Sequence, residues 1–120
     1  GSAYPGLWDL HYDAHDDSLH SMAEAYTRIY INTCLENKVN VLLNIVNGGK
    51  CDGIVYHLNR SCKLMSFLNV ETAEIIKEKT GLPYVSFDGD QTDPRNFAPA
   101  QFDTRVQALA EMMEANLAAE

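Results

Sequence analysis

Basic side chains are scarce in this sequence. Nine Lys and Arg stand against seventeen Asp and Glu in 120 residues, a formal charge of −8 at pH 7. Such a field repels phosphate backbones and anionic lipid headgroups, which sets nucleic acid and membrane surfaces aside as partners. Long hydrophobic runs are also missing. None approaches the roughly 18 residues that a membrane-spanning helix needs, and the first residues lack the basic start and apolar core of a secretion signal. Cysteine is sparse: Cys34, Cys51 and Cys62 make three. An odd number cannot pair completely within one chain, and all three lie in or beside apolar segments, so a reducing, cytoplasmic setting is expected. Internal repeats and low-complexity tracts are absent. A chain of this length buries about two thirds of its unfolded surface, which predicts one compact domain.

Gly1-Ser2 reads as a scar of tag removal, and residues 3–17 as an irregular leading segment with neither helical nor strand period. That segment and its surroundings carry His11, Asp13, His15, Asp16, Asp17 and His20. Their spacing matches no structural zinc pattern and no calcium loop, so a solvated acidic stretch is expected rather than a metal site. From Leu19 the apolar residues Met22, Ala23, Tyr26, Ile29 and Tyr30 follow a 3.6-residue period, with Asp16, Asp17 and Ser18 as capping candidates. After a break at residues 31–33, where Asn32 and Thr33 could cap, a second helix carries Val39, Leu42, Leu43, Ile45 and Val46. Gly48-Gly49 is expected to stop it.

A third pattern begins at Gly53. Residues 53–57, GIVYH, form a short β-rich run of the kind buried on both faces of a parallel sheet. Residues 66–80 read as a helix, with Ser66 or Asn69 as its start and Gly81 as its end, and 84–87, YVSF, as a second strand entered through Pro83. Phe102, Val106, Leu109, Ala110, Met113 and Leu117 mark a C-terminal amphipathic helix. Strand, helix, strand, helix predicts a right-handed βαβ unit with parallel strands and an α/β fold. Two strands make a thin sheet, so further strands are expected upstream.

In open parallel sheets the ligand site lies beyond the carboxyl ends of the strands. Two loops meet that condition, Asn59-Arg60-Ser61-Cys62-Lys63 and the acidic run 88–95, DGDQTDPR, and parallel strands would set them side by side. Cys62, at a strand end, before a helix and between Arg60 and Lys63, is placed to favour the thiolate, hence a nucleophile or a metal ligand. A partly buried cysteine that packs as a small hydrophobe is the other reading, and spacing alone leaves both open. His57 is expected to pack rather than to act as a base, and Cys51 to be structural. Asp88, Asp90 and Asp93 are first of all turn residues, with Asp90 in position to hydrogen-bond the neighbouring loop.

The ordered set HxNRSCK at His57–Lys63, GLP, DGDxxDPR and QxxTR at Gln101, Thr104 and Arg105 resembles the C-terminal part of the 2-hydroxyacyl-CoA dehydratases, from about Asp17 to the end. This family includes the 2-hydroxyglutaryl-CoA and 2-hydroxyisocaproyl-CoA enzymes and is related to benzoyl-CoA reductase. The resemblance implies that residues 18–120 are a truncated α/β domain, part of a flavodoxin/Rossmann-like fold with a short parallel sheet flanked by helices. It implies an oxygen-sensitive, cytoplasmic, heterodimeric lyase of anaerobic amino acid fermentation, with a [4Fe-4S] cluster held by three cysteines in each homologous subunit. An ATP-dependent iron-sulfur activator would supply one electron, a ketyl radical of the (R)-2-hydroxyacyl-CoA would form, and water would leave to give a 2-enoyl-CoA.

Cys62 matches the C-terminal cluster ligand, with Asn59, Arg60 and Ser61 around it. Cys34 is carried over as a subordinate ligand candidate. The other ligands would come from an N-terminal region outside this sequence, so the fragment alone is expected to bind no cluster and to be inactive. Two alternatives stand beside this reading: a benzoyl-CoA reductase-type subunit, and a non-enzymatic flavodoxin-like binding or electron-transfer module. The latter calls for a phosphate-cradling loop after the first strand, and NRSCK is a poor one.

Overall fold

A computed structural model describes residues 11, 12 and 17–119. The tag scar, most of the leading segment and three of its candidate metal residues, Asp13, His15 and Asp16, lie outside the described residues. The chain divides into two compact units, residues 1–49 and 50–120.

The first unit is helical. Helix α1, Ser18–Thr27, starts where Asp17 accepts a hydrogen bond from the His20 amide at 3.2 Å, which satisfies one of the orphan donors of the first turn. The expected apolar stripe is present but not buried. No α1 residue is buried, and Leu19 and Tyr26 are exposed. A 3-10 turn, Tyr30–Asn32, leads to α2, Leu35–Gly49. Asn32 and Thr33 do not cap α2. Their side chains bond backward, to the carbonyls of Tyr26 and Tyr30. Gly48 and Gly49 are not the stop either: both are the last helical residues, and Lys50 takes the left-handed conformation at φ 48°. Val39 and Val46 are buried, as is Lys38, whose ammonium lies 5.7 Å from the centroid of the Tyr30 ring and whose pKa burial lowers.

The second unit carries the α/β fold. Strand β1, Ile54–Asn59, pairs in parallel with β2, Tyr84–Gly89, in the register Ile54↔Tyr84 through Asn59↔Gly89. Each strand runs two residues further than hydropathy suggests, because ladder hydrogen bonds hold Leu58, Asn59, Asp88 and Gly89 whatever their side chains prefer. Helix α3, Lys63–Ser66, is a single turn, and α4, Asn69–Thr80, follows. Of the two expected starts of the helix ending at residue 80, Asn69 is the one used; Ser66 ends α3 instead, and Leu68, at φ 64°, turns the chain between the two. Gly81 ends α4 at φ 71°, its amide donating to the Lys77 carbonyl. A 3-10 turn at Pro94–Asn96 precedes α5, Pro99–Leu117, with proline at its first turn where the missing N–H costs nothing.

Side chains alternate across the two strands. Tyr56 and Tyr84 share the face on which Tyr84 reaches Glu74 of α4; Phe87 shares the other with Phe102 of α5, ring centroids 4.9 Å apart. Helix α4 thus meets the sheet at Tyr84 and α5 at Phe87. The Glu74 carboxylate accepts the Tyr84 hydroxyl and so raises its pKa. The core consists of Ile76, Thr72 and Ala73 from α4, Tyr56 and Val85 from the sheet, and Leu109 from α5. Burial of β1 on both faces does not hold in this chain. Val55 is 45% exposed, since two strands leave an edge that no neighbour covers within the unit. On α5 only Leu109 is buried and Phe102 and Met113 half-buried, whereas Val106, Ala110 and Leu117 face outward.

Ile76 is fully buried. Replacing it by alanine removes three methyl or methylene groups from the centre of the core, and Ile76→Ala is expected to cost about 2–5 kcal/mol in chemical denaturation. A loss under about 1 kcal/mol would mean that α4 is not the core element described.

Candidate functional site

The register brings the two loops together. Because Asn59 stands opposite Gly89, both strands end at the same level, and the Arg60 amide extends the ladder by donating to the Gly89 carbonyl at 2.9 Å. Residues 59–62 then form a β-turn, with the Cys62 amide donating to the Asn59 carbonyl at 3.1 Å. The same carbonyl accepts the Ser66 hydroxyl at 2.7 Å, which pins α3 onto the strand end. Asn59 itself is buried. Cys62 caps α3 in extended conformation, half-buried and free of any disulfide, and neither the Ser61 nor the Lys63 amide meets an acceptor among the described residues.

The acidic loop answers this turn. Asp90 Oδ1 accepts from Ser61 Oγ at 2.8 Å, across 29 residues of sequence, and from the Thr92 amide and hydroxyl at 2.9 and 2.8 Å. Asn96 Nδ2 donates to Oδ2 at 3.3 Å. The bonds from the Thr92 amide, Ser61 and the Thr92 hydroxyl hold the Asp90 carboxyl far below the usual carboxylate range. The Arg95 side chain does the same, more mildly, for Asp93. Arg60 pairs with Asp88 at 3.1 Å, both half in solvent, so this bridge contributes little to stability. The expected bond from Asp90 to its neighbour loop is therefore present, whereas Arg60 is directed to Asp88.

His57 packs, as expected. Its ring stacks on Phe87 with centroids 5.0 Å apart and planes at 15°. Beside it lies Gly89, where a Cβ would come within 2.8 Å of His57 Nε2. The glycine of DGD thus answers a need for space. Sequence reasoning passed over this role, although strand pairing extended by two residues would have placed 89 beside 57. Beside β2 a cleft of about 70 Å³ is lined by residues that include Leu58, Asp88, Phe102, Gln101 and Arg105. Gln101 and Arg105 of the QxxTR set therefore share a surface one helical turn apart. Thr104 does not join them, its hydroxyl bonding back to the Ala100 carbonyl.

Cys34 lies in the first unit, exposed, at the residue before α2. Cys51 is half-buried ahead of β1. Among the described residues no group of three or more His, Cys, Asp or Glu is placed to hold a metal ion, and no helix is long and apolar enough to cross a membrane.

A thiol-bearing turn at the end of one parallel strand, tied to an acidic loop at the end of the next, defines an α/β unit of the kind that holds its ligand at the strand ends. Residues 2–113 match the family described as 2-hydroxyglutaryl-CoA dehydratase, D-component, and the chain belongs to that family. The match extends N-terminal of Asp17, beyond the motifs. The chain is 83% identical over 119 residues to the lactoyl-CoA dehydratase subunit alpha of Anaerotignum propionicum, covering 99% of this chain and 28% of the relative. It is 49% identical over 114 residues to the (R)-2-hydroxyisocaproyl-CoA dehydratase alpha subunit of Clostridioides difficile, covering 95% of this chain and 28% of the relative. A benzoyl-CoA reductase subunit of Thauera aromatica is 28% identical over 111 residues, covering 91% of this chain and 26% of that protein. The chain thus spans little more than a quarter of the length of these relatives.

Replacing Gly89 by alanine puts a methyl group against the His57 ring. Gly89→Ala is expected to destabilise the chain by about 1–3 kcal/mol and to shift the His57 ring resonances in NMR. Unchanged stability together with unchanged resonances would show that the two do not meet.

Proposed function

We propose that this chain is part of the alpha-type subunit of a heterodimeric (R)-2-hydroxyacyl-CoA dehydratase, in which Cys62 is one protein ligand of a [4Fe-4S] cluster. The whole protein, in this reading, is a cytoplasmic lyase that eliminates water from the thioester to give a 2-enoyl-CoA. It does so by way of a ketyl radical of the substrate, after one-electron activation by an ATP-dependent iron-sulfur protein, and it works with a homologous second subunit. The observation that carries the reading is the Cys62 turn: a free, half-buried thiol at a strand end, in a chain that is 83% identical to a lactoyl-CoA dehydratase alpha subunit.

The donor set fits one corner of such a cluster. Cluster iron takes thiolates, and the amides of Ser61 and Lys63, which meet no acceptor among the described residues, flank Cys62 with donors suited to an anionic sulfur. When bound, the cluster supplies one-electron and Lewis-acid chemistry. The chain's own residues do the rest of the local work. Asn59 accepts from Cys62 and Ser66 and shapes the turn, while Arg60, ion-paired with Asp88, keeps its charge at the strand ends. The other thiolates come, in this proposal, from parts of the protein beyond this chain, with Cys34 a subordinate candidate. This leaves the chain by itself without cluster and without activity.

A reductase of aromatic acyl-CoA thioesters is the second reading. Identity favours the dehydratase, at 83% and 49% against 28% for the benzoyl-CoA reductase subunit.

The full-length complex carrying Cys62→Ala, handled anaerobically, is expected to lose iron from the mutated subunit and the EPR signal of its cluster. Unchanged iron content and an unchanged spectrum would remove Cys62 from the ligand set. The 120-residue chain alone is expected to stay colourless after anaerobic treatment with iron and sulfide. A stable brown species with stoichiometric iron would overturn the need for ligands from elsewhere.

A further inference from the structure

The geometry assigns Asp90 a positioning role: from the loop after β2 it holds the Cys62 turn in register for its ligand, through the hydroxyl of Ser61. This rests on the reading of Cys62 as a cluster ligand and adds a residue that touches neither the thiol nor the substrate.

Of the donors that converge on Asp90, Thr92, Asp93 and Asn96 belong to its own loop and fix the carboxylate there. Ser61 alone comes from the other loop. Its hydroxyl has one proton and two acceptors within reach, Asp90 Oδ1 at 2.8 Å and Asn59 Oδ1 at 3.2 Å, and the shorter, charge-assisted bond takes it. Ser61 is covalently next to Cys62, so fixing its side chain narrows the backbone freedom of the thiol-bearing residue. Other restraints act beside it. Arg60–Asp88 is an exposed ion pair, and the Asn59 carbonyl ties the Cys62 amide and the Ser66 hydroxyl within the turn and α3, while the bond to Asp90 joins Ser61, at the crest, to the neighbouring loop. A carboxylate already anchored by its own loop is a rigid post, and a ligand held within about half an ångström is what metal sites require of their surroundings.

Position and ligation can be read separately. In the full-length complex freed of iron, alkylation of Cys62 by iodoacetamide, followed by peptide mass spectrometry, reads the freedom of the turn without any cluster. Asp90→Leu and Ser61→Ala are each expected to speed it about tenfold, and the double variant no further than Asp90→Leu alone, since the Ser61–Asp90 bond is already lost there. Asp90→Asn keeps an oxygen where Oδ1 stands and is expected to stay within about twofold of the unaltered protein. In the iron-loaded complex, Asp90→Leu is expected to retain iron but to shift and broaden the cluster EPR spectrum. Unaltered alkylation and an unaltered spectrum in Asp90→Leu would overturn the proposal, as would additive effects of the two variants. Should Asp90→Leu fail to fold, as judged by circular dichroism, Ser61→Ala decides by the same two readouts. If Cys62→Ala keeps its iron and spectrum, the ligand reading falls and the role toward the cluster falls with it; the alkylation series shows separately whether Asp90 orders the turn.

Discussion

The rest of the second unit depends on the pairing of Asn59 with Gly89. Parallel strands carry no hairpin to bring their ends together, so the level at which each strand stops is decided by register alone. Here the register stops both strands at the same height. The turn that bears Cys62 and the loop that bears Asp90 then emerge as neighbours, although 29 residues separate Ser61 from its partner. A slip of one residue would turn every side chain to the opposite face and place His57 where Tyr56 packs against Tyr84. Space enforces the same solution: at Gly89 the His57 ring leaves no room for a side chain.

Much of this was legible in the residues. Alternating βαβ order gave the parallel pair and both strand-end loops, Asp17 and Gly81 read as boundaries, and the expected link from Asp90 to the neighbouring loop is present. The failures have particular physical causes. Leu68 in a left-handed conformation is not a helix stop that any propensity scale reports, so Ser66 stood beside Asn69 as a start and the single turn α3 was not foreseen. Lys50 rather than the two glycines ends α2, because a glycine that may take positive φ need not. The strands run past their apolar residues because Asn59 and Gly89 are held by their ladder partners. Exposure was the least legible property. Apolar stripes on α1 and α5 were visible, yet which of their residues are covered depends on what packs against them, and the sequence of one segment does not state that.

The resemblance of the motifs and the geometry meet at one residue and part at others. Cys62 is singled out twice, by its motif and by a turn built from Asn59, Ser61 and Ser66. Cys34 and Cys51 receive no comparable frame: one is exposed before a helix, the other half-buried before a strand. The QxxTR set is divided by the structure, with Gln101 and Arg105 on the cleft beside β2 and Thr104 spent on its own helix. A motif is thus not a unit of function by virtue of being contiguous.

The left-handed Leu68 has a mechanical meaning. A continuous helix from Lys63 to Thr80 would act as a lever, and any tilt of its buried length against the sheet would be delivered, enlarged, at its first residue. The break converts the lever into two bodies joined at a corner. The single turn behind Cys62 is fastened to the strand end, through the Ser66 hydroxyl on the Asn59 carbonyl, and not to the axis of α4. The direction of α4 is thereby set separately from that of the turn that carries the thiol.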